Sequence, residues 1–295
     1  MNTNDCIIGV VAKHGHPDAP GLTRRLISWL REKGLAFCVD VPTAEALQLD
    51  DVPSEQRVAR EEMTSRCSPI VIMGGDGTLI SVCRHPAERP PIIIGVNLGT
   101  LGFLTEITSE ELFASLQVEL EGRSKLEPRY LITCSVLRKD KPIASYSALN
   151  DVVITKQAIA RIFALDLEID GDFAAVMRGD GVIVSTPGGS TAYSMAAGGS
   201  IVHPQVHATL ITPICPHSLT SRPLVLPKES KVVLRVISDT GKDDIFLTID
   251  GQSGMALDSG DEVIVSGSQH HVLFAKSPSK NYYEVLATKL KWAER

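Results

Sequence analysis

Two short stretches carry the residue types that chemistry needs. At Ile70–Thr78 a β-branched run, Ile-Val-Ile-Met, passes straight into Gly-Gly-Asp-Gly-Thr. Three glycines let backbone N–H groups approach a bound group and adopt φ > 0 without a Cβ clash. Bare amides favour an anion, whereas the lone acid, Asp76, suits a metal or a proton. A phosphate donor with its cation would use both. The second stretch, Arg178–Tyr193, reads Arg-Gly-Asp-Gly, Val-Ile-Val-Ser, Thr-Pro-Gly-Gly-Ser-Thr-Ala-Tyr. There a strand enters a glycine turn with several hydroxyls. Ser190–Ala197 has helix-forming character with Ser190 or Thr191 as N-cap, which together make a polar cradle at a helix start. Gly188–Ala192 also lies one residue from the G-x-S-x-G elbow of serine hydrolases. That reading needs its strand in a parallel α/β sheet, and it leaves the Asp76 loop unexplained.

The elements that must position these stretches change texture along the chain. Cys6–Ala12, Ala36–Val41, Ile70–Met73 and Ile92–Val96 read as strands, and Leu22–Lys33 as an amphipathic helix closed by Gly34. Val52–Thr64 reads as a polar surface helix, and Leu79–Arg84 as a helix whose N-terminus is the glycine loop. Strands alternating with helices imply a parallel α/β sheet with ligands at the strand C-terminal ends. Gly74–Gly77 and Asn97–Gly102 sit at two such ends. Ser109–Glu121 reads as a further helix with Ser109 as N-cap. From about Tyr130 the runs become short, alternating and rich in Val, Ile and Thr: Leu131–Leu137, Ser147–Ile154, Ile162–Ile169, Gly181–Ser185, Ser230–Ser238 and Asp244–Ile249. This is the pattern of a mostly antiparallel β domain. The expected organisation is an α/β domain over residues 1–105 and a β-rich domain over 106–270; the final segment, 271–295, has no clear texture and is open to folding back onto the first.

Bulk properties narrow the function classes. The 295 residues are 43% hydrophobic and 22% charged, ordinary for a soluble globular protein of about two domains. A net charge of −6 and 5% aromatic residues argue against a general nucleic-acid binder. No apolar run approaches the ~18 residues of a membrane span, and Met1–Asp5 carries no basic secretion signal. Six cysteines are scattered without a C-x-x-C pair, as in a reduced, cytoplasmic protein. His203 and His207 have a metal-ligand spacing, but Pro204 intervenes and the zincin Glu is missing. G-x-x-x-x-G-K-[ST] does not occur, so this is not a P-loop enzyme, and without a G-x-G-x-x-G after the first strand a Rossmann-held dinucleotide is not indicated.

Taken together, Gly-Gly-Asp-Gly-Thr at 74–78, Asn-Leu-Gly-Thr-Leu-Gly-Phe-Leu at 97–104, Asn-Asp at 150–151, Arg-Gly-Asp-Gly at 178–181, Thr-Pro-Gly-Gly-Ser-Thr-Ala-Tyr at 186–193 and Cys-Pro-His-Ser-Leu-Thr-Ser-Arg-Pro-Leu at 215–224 resemble bacterial NAD kinases. The likeness runs in order from about Cys6 to Trp292. It implies an N-terminal α/β domain and a C-terminal β-sandwich-like domain, with NAD in the cleft between them, ATP as donor, a divalent cation (Mg²⁺) and a homo-oligomer, dimer or tetramer. It implies Asp76 as the general base on the adenosine ribose 2′-hydroxyl, with Gly75 and Gly77 beside it and Arg84 near the phosphates. Asn150 and Asp151 would bind the adenosine and nicotinamide ends, and Arg161, Arg178, Asp180 and Gln252 the rest of the dinucleotide. Thr191, Ala192 and Tyr193 would line the adenine pocket, and Ser194, Met195 and Ala196 are further nucleotide-binding positions. Arg178 stands where the NAD-preferring members carry Arg, which implies NAD over NADH. One departure is Gly188, where the family usually has Thr or Ser, a hydrogen bond worth ~1 kcal/mol. Diacylglycerol-type lipid kinases share the first loop and form the alternative; they predict a membrane-facing surface. A non-catalytic dinucleotide sensor could dispense with Asp76.

Overall fold

The computed structural model describes residues 7–156, 163–237 and 245–292. Expectations placed at Cys6, Arg161, Ile162, Ser238 and Asp244 fall outside the described residues. In chain order the elements begin with β1 (Ile8–Ala12), α1 (Ala19–Glu32), β2 (Phe37–Asp40), α2 (Val41–Ala46), β3 (Arg57–Val58), α3 (Met63–Arg66), β4 (Ile70–Gly74), α4 (Asp76–Cys83), β5 (Ile92–Asn97), β6 (Ile107–Thr108) and α5 (Leu112–Leu120). They continue with β7 (Leu126–Arg138), β8 (Lys141–Ala148), β9 (Asp151–Lys156), β10 (Phe163–Ile169), β11 (Asp172–Gly179), β12 (Gly181–Ser185), α6 (Tyr193–Ala196), β13 (Ala208–Ile214), β14 (Leu224–Pro227), β15 (Val232–Ile237), β16 (Ile245–Ile249), β17 (Ser253–Leu257), β18 (Glu262–Ala275) and α7 (Tyr282–Leu290). Contacts divide the chain into two units, one running to Pro128 and resuming at His270, the other Arg129–Gln269.

In the first unit β3-β2-β1-β4-β5 form a parallel sheet, with β6 also parallel on β5. β1 and β4 are buried at every position, as expected of parallel strands covered on both faces. α1 packs Leu22, Leu26, Ile27 and Leu30 inward at helical spacing. It begins three residues before Leu22 because Pro20 is pre-set for a first turn, and Gly34 follows it at φ +65°.

Val52–Thr64 is not a surface helix. Its buried apolar residues Val52, Val58 and Met63 are six and five apart, which no helical face spans. Instead β3 adds to β2, Arg57 donates to the carbonyls of Val52 and Leu49, and Arg60 Nε reaches the buried Asp40 at 2.7 Å. Ser109 is likewise not the cap of α5. Thr108 and Glu111 exchange reciprocal hydrogen bonds (2.9 and 3.3 Å), so the helix opens at Leu112. Leu112 and Leu116 then pack into the core of the parallel sheet, so the boundary falls at 128/129, not at 105/106.

The second unit has two antiparallel sheets. One is β14-β13-β12-β9-β16-β17; the other contains β11, β10, β15 and the first part of β18, extended by β7 and β8. Val152, Ile154, Val182, Val184 and Leu247 of one meet Cys134, Leu165, Val232, Leu234 and Val263 of the other in a single core, a sandwich. The reading of Ser147–Ile154 as one strand is corrected: β8 ends at Ala148 and β9 starts at Asp151, each in a different sheet. Back in the first unit, Leu273 and Phe274 pair in parallel with Ile92 and Ile93. A capping box of Asn281 and Glu284 then opens α7.

Candidate active site

The first cluster lies at the C-terminal ends of β4 and β5. Asp76 is the first residue of α4, with Gly75 as N-cap, so the helix starts three residues earlier than Leu79. The Leu98 N–H donates to the Gly74 carbonyl at 3.3 Å, tying the two glycine loops together. The half-buried Asp76 carboxylate then accepts from Phe103 N–H (2.9 Å), Leu104 N–H (3.1 Å), Thr105 N–H (3.1 Å) and Thr105 Oγ1 (3.1 Å). A Cβ on Gly102 would overlap Asp76 Oδ1, so glycine is required there. Gly75 and Gly77 flank the acid on the helix N-terminus, whose dipole favours a phosphate. Arg84 is the C-cap of the same helix, about 12 Å along its axis from Asp76. The fold therefore brings Gly75, Asp76 and Gly77 together with Phe103–Thr105, and sets Arg84 at the far end.

The second cluster is built on β9, β12 and the β16–β17 hairpin. Asp250, at the hairpin tip with φ +50°, accepts the N–H groups of Leu149 (2.9 Å), Asn150 (2.7 Å) and Asp151 (3.0 Å), and returns its own N–H to the Asp151 carbonyl. Three converging donors fix the bend that separates β8 from β9. Asp151 itself is 5% exposed. Burial, reinforced by the neighbouring Asp250 carboxylate, pushes its carboxyl up to about 7. The Asn150 carbonyl accepts from Thr186 N–H at 2.9 Å, and Thr186 Oγ1 donates to the Leu149 carbonyl at 2.7 Å. A Cβ on Gly189 would run into the Asn150 carbonyl, so this close approach of two backbones needs glycine. Gly188 has no such neighbour: a Cβ there would meet nothing nearer than Thr186 Oγ1 at 3.4 Å.

The turn after β12 differs from the sequence reading. Gly188–Thr191 is a 3₁₀ turn and α6 begins only at Tyr193. The hydroxyls of the expected caps close the turn instead: Ser190 Oγ donates to the Pro187 carbonyl at 2.6 Å and accepts from Val202 N–H at 3.0 Å, and Thr191 Oγ1 donates to the Gly188 carbonyl at 3.2 Å. A one-turn helix makes no anion site, so the cradle reduces to the turn itself. The buried Ser190 is also no nucleophile, and β12 lies between antiparallel neighbours, which removes the hydrolase reading. Ser194 is buried and bonds Thr212 at 2.8 Å, so it serves the scaffold. Thr191, Ala192 and Met195 are half-buried, and Tyr193 and Ala196 exposed.

Arg178 and Asp180 stand on either side of the β11–β12 bend. Asp180 ion-pairs with Lys156 at 2.7 Å, which holds its carboxyl below the usual range. Arg178 borders a cavity of about 340 Å³ floored by Leu165, Leu167 and Ile211. Gln252 is exposed at the hairpin tip beside Asp250. Arg161 lies outside the described residues. Sequence reasoning missed Asp250 and Thr105, whose partners lie about a hundred and 29 residues away.

Two family models match: the ATP-NAD kinase N-terminal domain over residues 8–124 and the ATP-NAD kinase C-terminal domain over 149–277. The chain is 43% identical over 288 residues to an NAD kinase of Syntrophotalea carbinolica (98% of this chain, 99% of the relative). It is 44% identical over 288 residues to one of Geobacter sulfurreducens, with the same coverage. Among solved structures, yeast NADH kinase complexed with NADH superposes at TM-score 0.90 with 28% identity, covering 100% of this chain and 89% of that one. An NAD kinase from Archaeoglobus fulgidus in complex with ATP superposes at 0.73 with 25% identity, covering 97% and 98%. The chain belongs to the ATP-NAD kinase family.

Proposed function

We propose that this chain transfers the γ-phosphoryl group of ATP to the adenosine ribose 2′-hydroxyl of NAD, giving NADP. The observation that carries the reading is Asp76, a carboxylate fixed at a helix N-terminus in a glycine loop. There it can take the hydroxyl proton while loop amides and the helix dipole face the phosphates. Phosphoryl transfer needs placement and charge neutralisation more than covalent help, and the first unit supplies both. The second unit supplies the dinucleotide contacts: Asn150 and Asp151 on the bend fixed by Asp250, Thr191, Ala192 and Tyr193 on the turn, and Arg178, Asp180 and Gln252 around them. Arg161 is assigned by resemblance alone, as is Arg84 to the phosphates.

Among the described residues no group of three or more His, Cys, Asp or Glu could hold a metal ion. We assign the divalent cation, Mg²⁺, to the ATP phosphates, where it would neutralise charge on the transferred group. No step is routed through a protein-bound ion.

The match of both halves to one family gives the lipid-kinase alternative no support. No described helix is long and apolar enough to cross a membrane. A homo-oligomer is supported by exposed large apolar residues in the second unit: Leu219 is 93% exposed, and Phe173, Val176 and Val225 are exposed as well. A cytoplasmic site is supported by five described cysteines that are all free thiols. Incubation with ATP, Mg²⁺ and NAD⁺, read through an NADP-specific dehydrogenase, tests the reading: NADP accumulates, faster from NAD⁺ than NADPH does from NADH. Absence of both products would overturn it.

A further inference from the structure

The two oxygens of Asp76 are not equivalent. Oδ1 accepts three donors, Leu104 N–H, Thr105 N–H and Thr105 Oγ1, each at 3.1 Å. Oδ2 accepts Phe103 N–H at 2.9 Å. A carboxylate oxygen offers about two lone-pair sites, so Oδ1 is saturated and Oδ2, with one donor, keeps a site. The clamp is rigid. Thr105 is fully buried, and the following residue pair enters β6, whose Ile107 is fixed in parallel against Val96. Gly102 N–H closes the loop onto the Thr105 carbonyl at 3.4 Å, and a side chain on Gly102 would overlap both Asp76 Oδ1 and Thr105 Oγ1.

We infer that Thr105 is a positioning residue for phosphoryl transfer, and that by pinning Oδ1 it leaves Asp76 Oδ2 as the atom that receives the proton. The inference rests on the proposed role of Asp76 as the base. In the step, the ribose O–H bond breaks and its proton passes to Oδ2. The hydroxyl oxygen forms the new bond to the γ-phosphorus. The bond from that phosphorus to the bridging oxygen breaks, and its electron pair leaves with ADP. Without the Thr105 hydroxyl three backbone N–H donors still hold the carboxylate, but less closely, and misplacement of a reacting group by about 1 Å can cost on the order of a hundredfold.

The test is Thr105→Val, which keeps the shape and removes the O–H donor, beside Thr105→Ser, which restores it. Thr105→Val should lower kcat roughly ten- to a hundredfold with KM for NAD and ATP within about twofold of wild type, and Thr105→Ser should recover to within about threefold. Thermal melting of both variants separates misfolding from misplacement; if Thr105→Val does not fold, Thr105→Ala against Thr105→Ser gives the same comparison. A Thr105→Val enzyme with kcat within twofold of wild type, a rise in KM that accounts for the loss, or a Thr105→Ser enzyme as impaired as the valine variant would each overturn the inference. Asp76→Asn run in parallel separates the two levels. If it is inactive while Thr105→Val is unimpaired, only the positioning role fails; if it turns over normally, the role of Asp76 as base fails with it.

Discussion

Replacing Asp151 by Asn should make the protein more stable at pH 8 and leave it little changed at pH 4. Asp151 is 5% exposed at the start of β9, with the Asp250 carboxylate beside it. Its carboxyl titrates at about 7 in the folded chain against 3.8 when unperturbed. Between those values the folded state holds a proton that the unfolded chain has released. Stability therefore falls as pH rises, with a slope approaching 1.36 kcal/mol per pH unit. Summed from pH 4 to pH 7, the loss is on the order of 4 kcal/mol, complete above pH 7 and absent below pH 4. Asn carries no charge at any of these values, so it removes the slope. Urea unfolding of wild type and Asp151→Asn at pH 4, 5, 6, 7 and 8 reads it directly: the midpoints should diverge upward through pH 6, with the variant the more stable. Parallel curves, or a wild type that gains on the variant as pH rises, would refute the reasoning.

The remaining predictions are structural. Gly189→Ala should cost about 2–4 kcal/mol or prevent folding of the second unit, because its Cβ meets the Asn150 backbone, whereas Gly188→Ala should melt within a few degrees of wild type; equal melting temperatures for the two would contradict this. Lys276, 9% exposed, pairs with Glu106 and lies 3.7 Å from Glu127, both buried. Lys276→Met removes the cation paired with the buried Glu106 and should destabilise by roughly 3–5 kcal/mol. A denaturation midpoint equal to wild type would show that the cluster is hydrated.

Much of the fold was legible because its signals are local. The continuous apolar runs of β1, β4 and β5 announce strands buried on both faces, and Gly34 announces the end of α1. The glycine-acid loop announces itself by composition. Three readings failed where specific hydrogen bonds overrode local preference. Val52–Thr64 has helix-forming residues, but its buried positions and the guanidinium bonds of Arg57 and Arg60 hold it as short turns around an edge strand. Ser147–Ile154 has an unbroken β texture, yet the Asp250 carboxylate bends it at Asn150 from a hundred residues away. Ser190 and Thr191 have cap chemistry, but Pro187 and Val202 take the serine hydroxyl and Gly188 the threonine's, delaying α6 to Tyr193. For the same reason the supports of the site, Thr105 and Asp250, were invisible. Nothing in a Leu-Thr-Glu or Ile-Asp-Gly stretch says which carboxylate or amide it will meet.

The proposed transfer turns on Asp76 taking the ribose proton. Asp76→Asn, purified and melting within a few degrees of wild type, should turn over ATP and NAD⁺ to NADP more slowly by at least about a thousandfold while binding NAD within a few-fold of wild type by calorimetry. An Asp76→Asn enzyme that forms NADP at a rate near wild type would contradict the account.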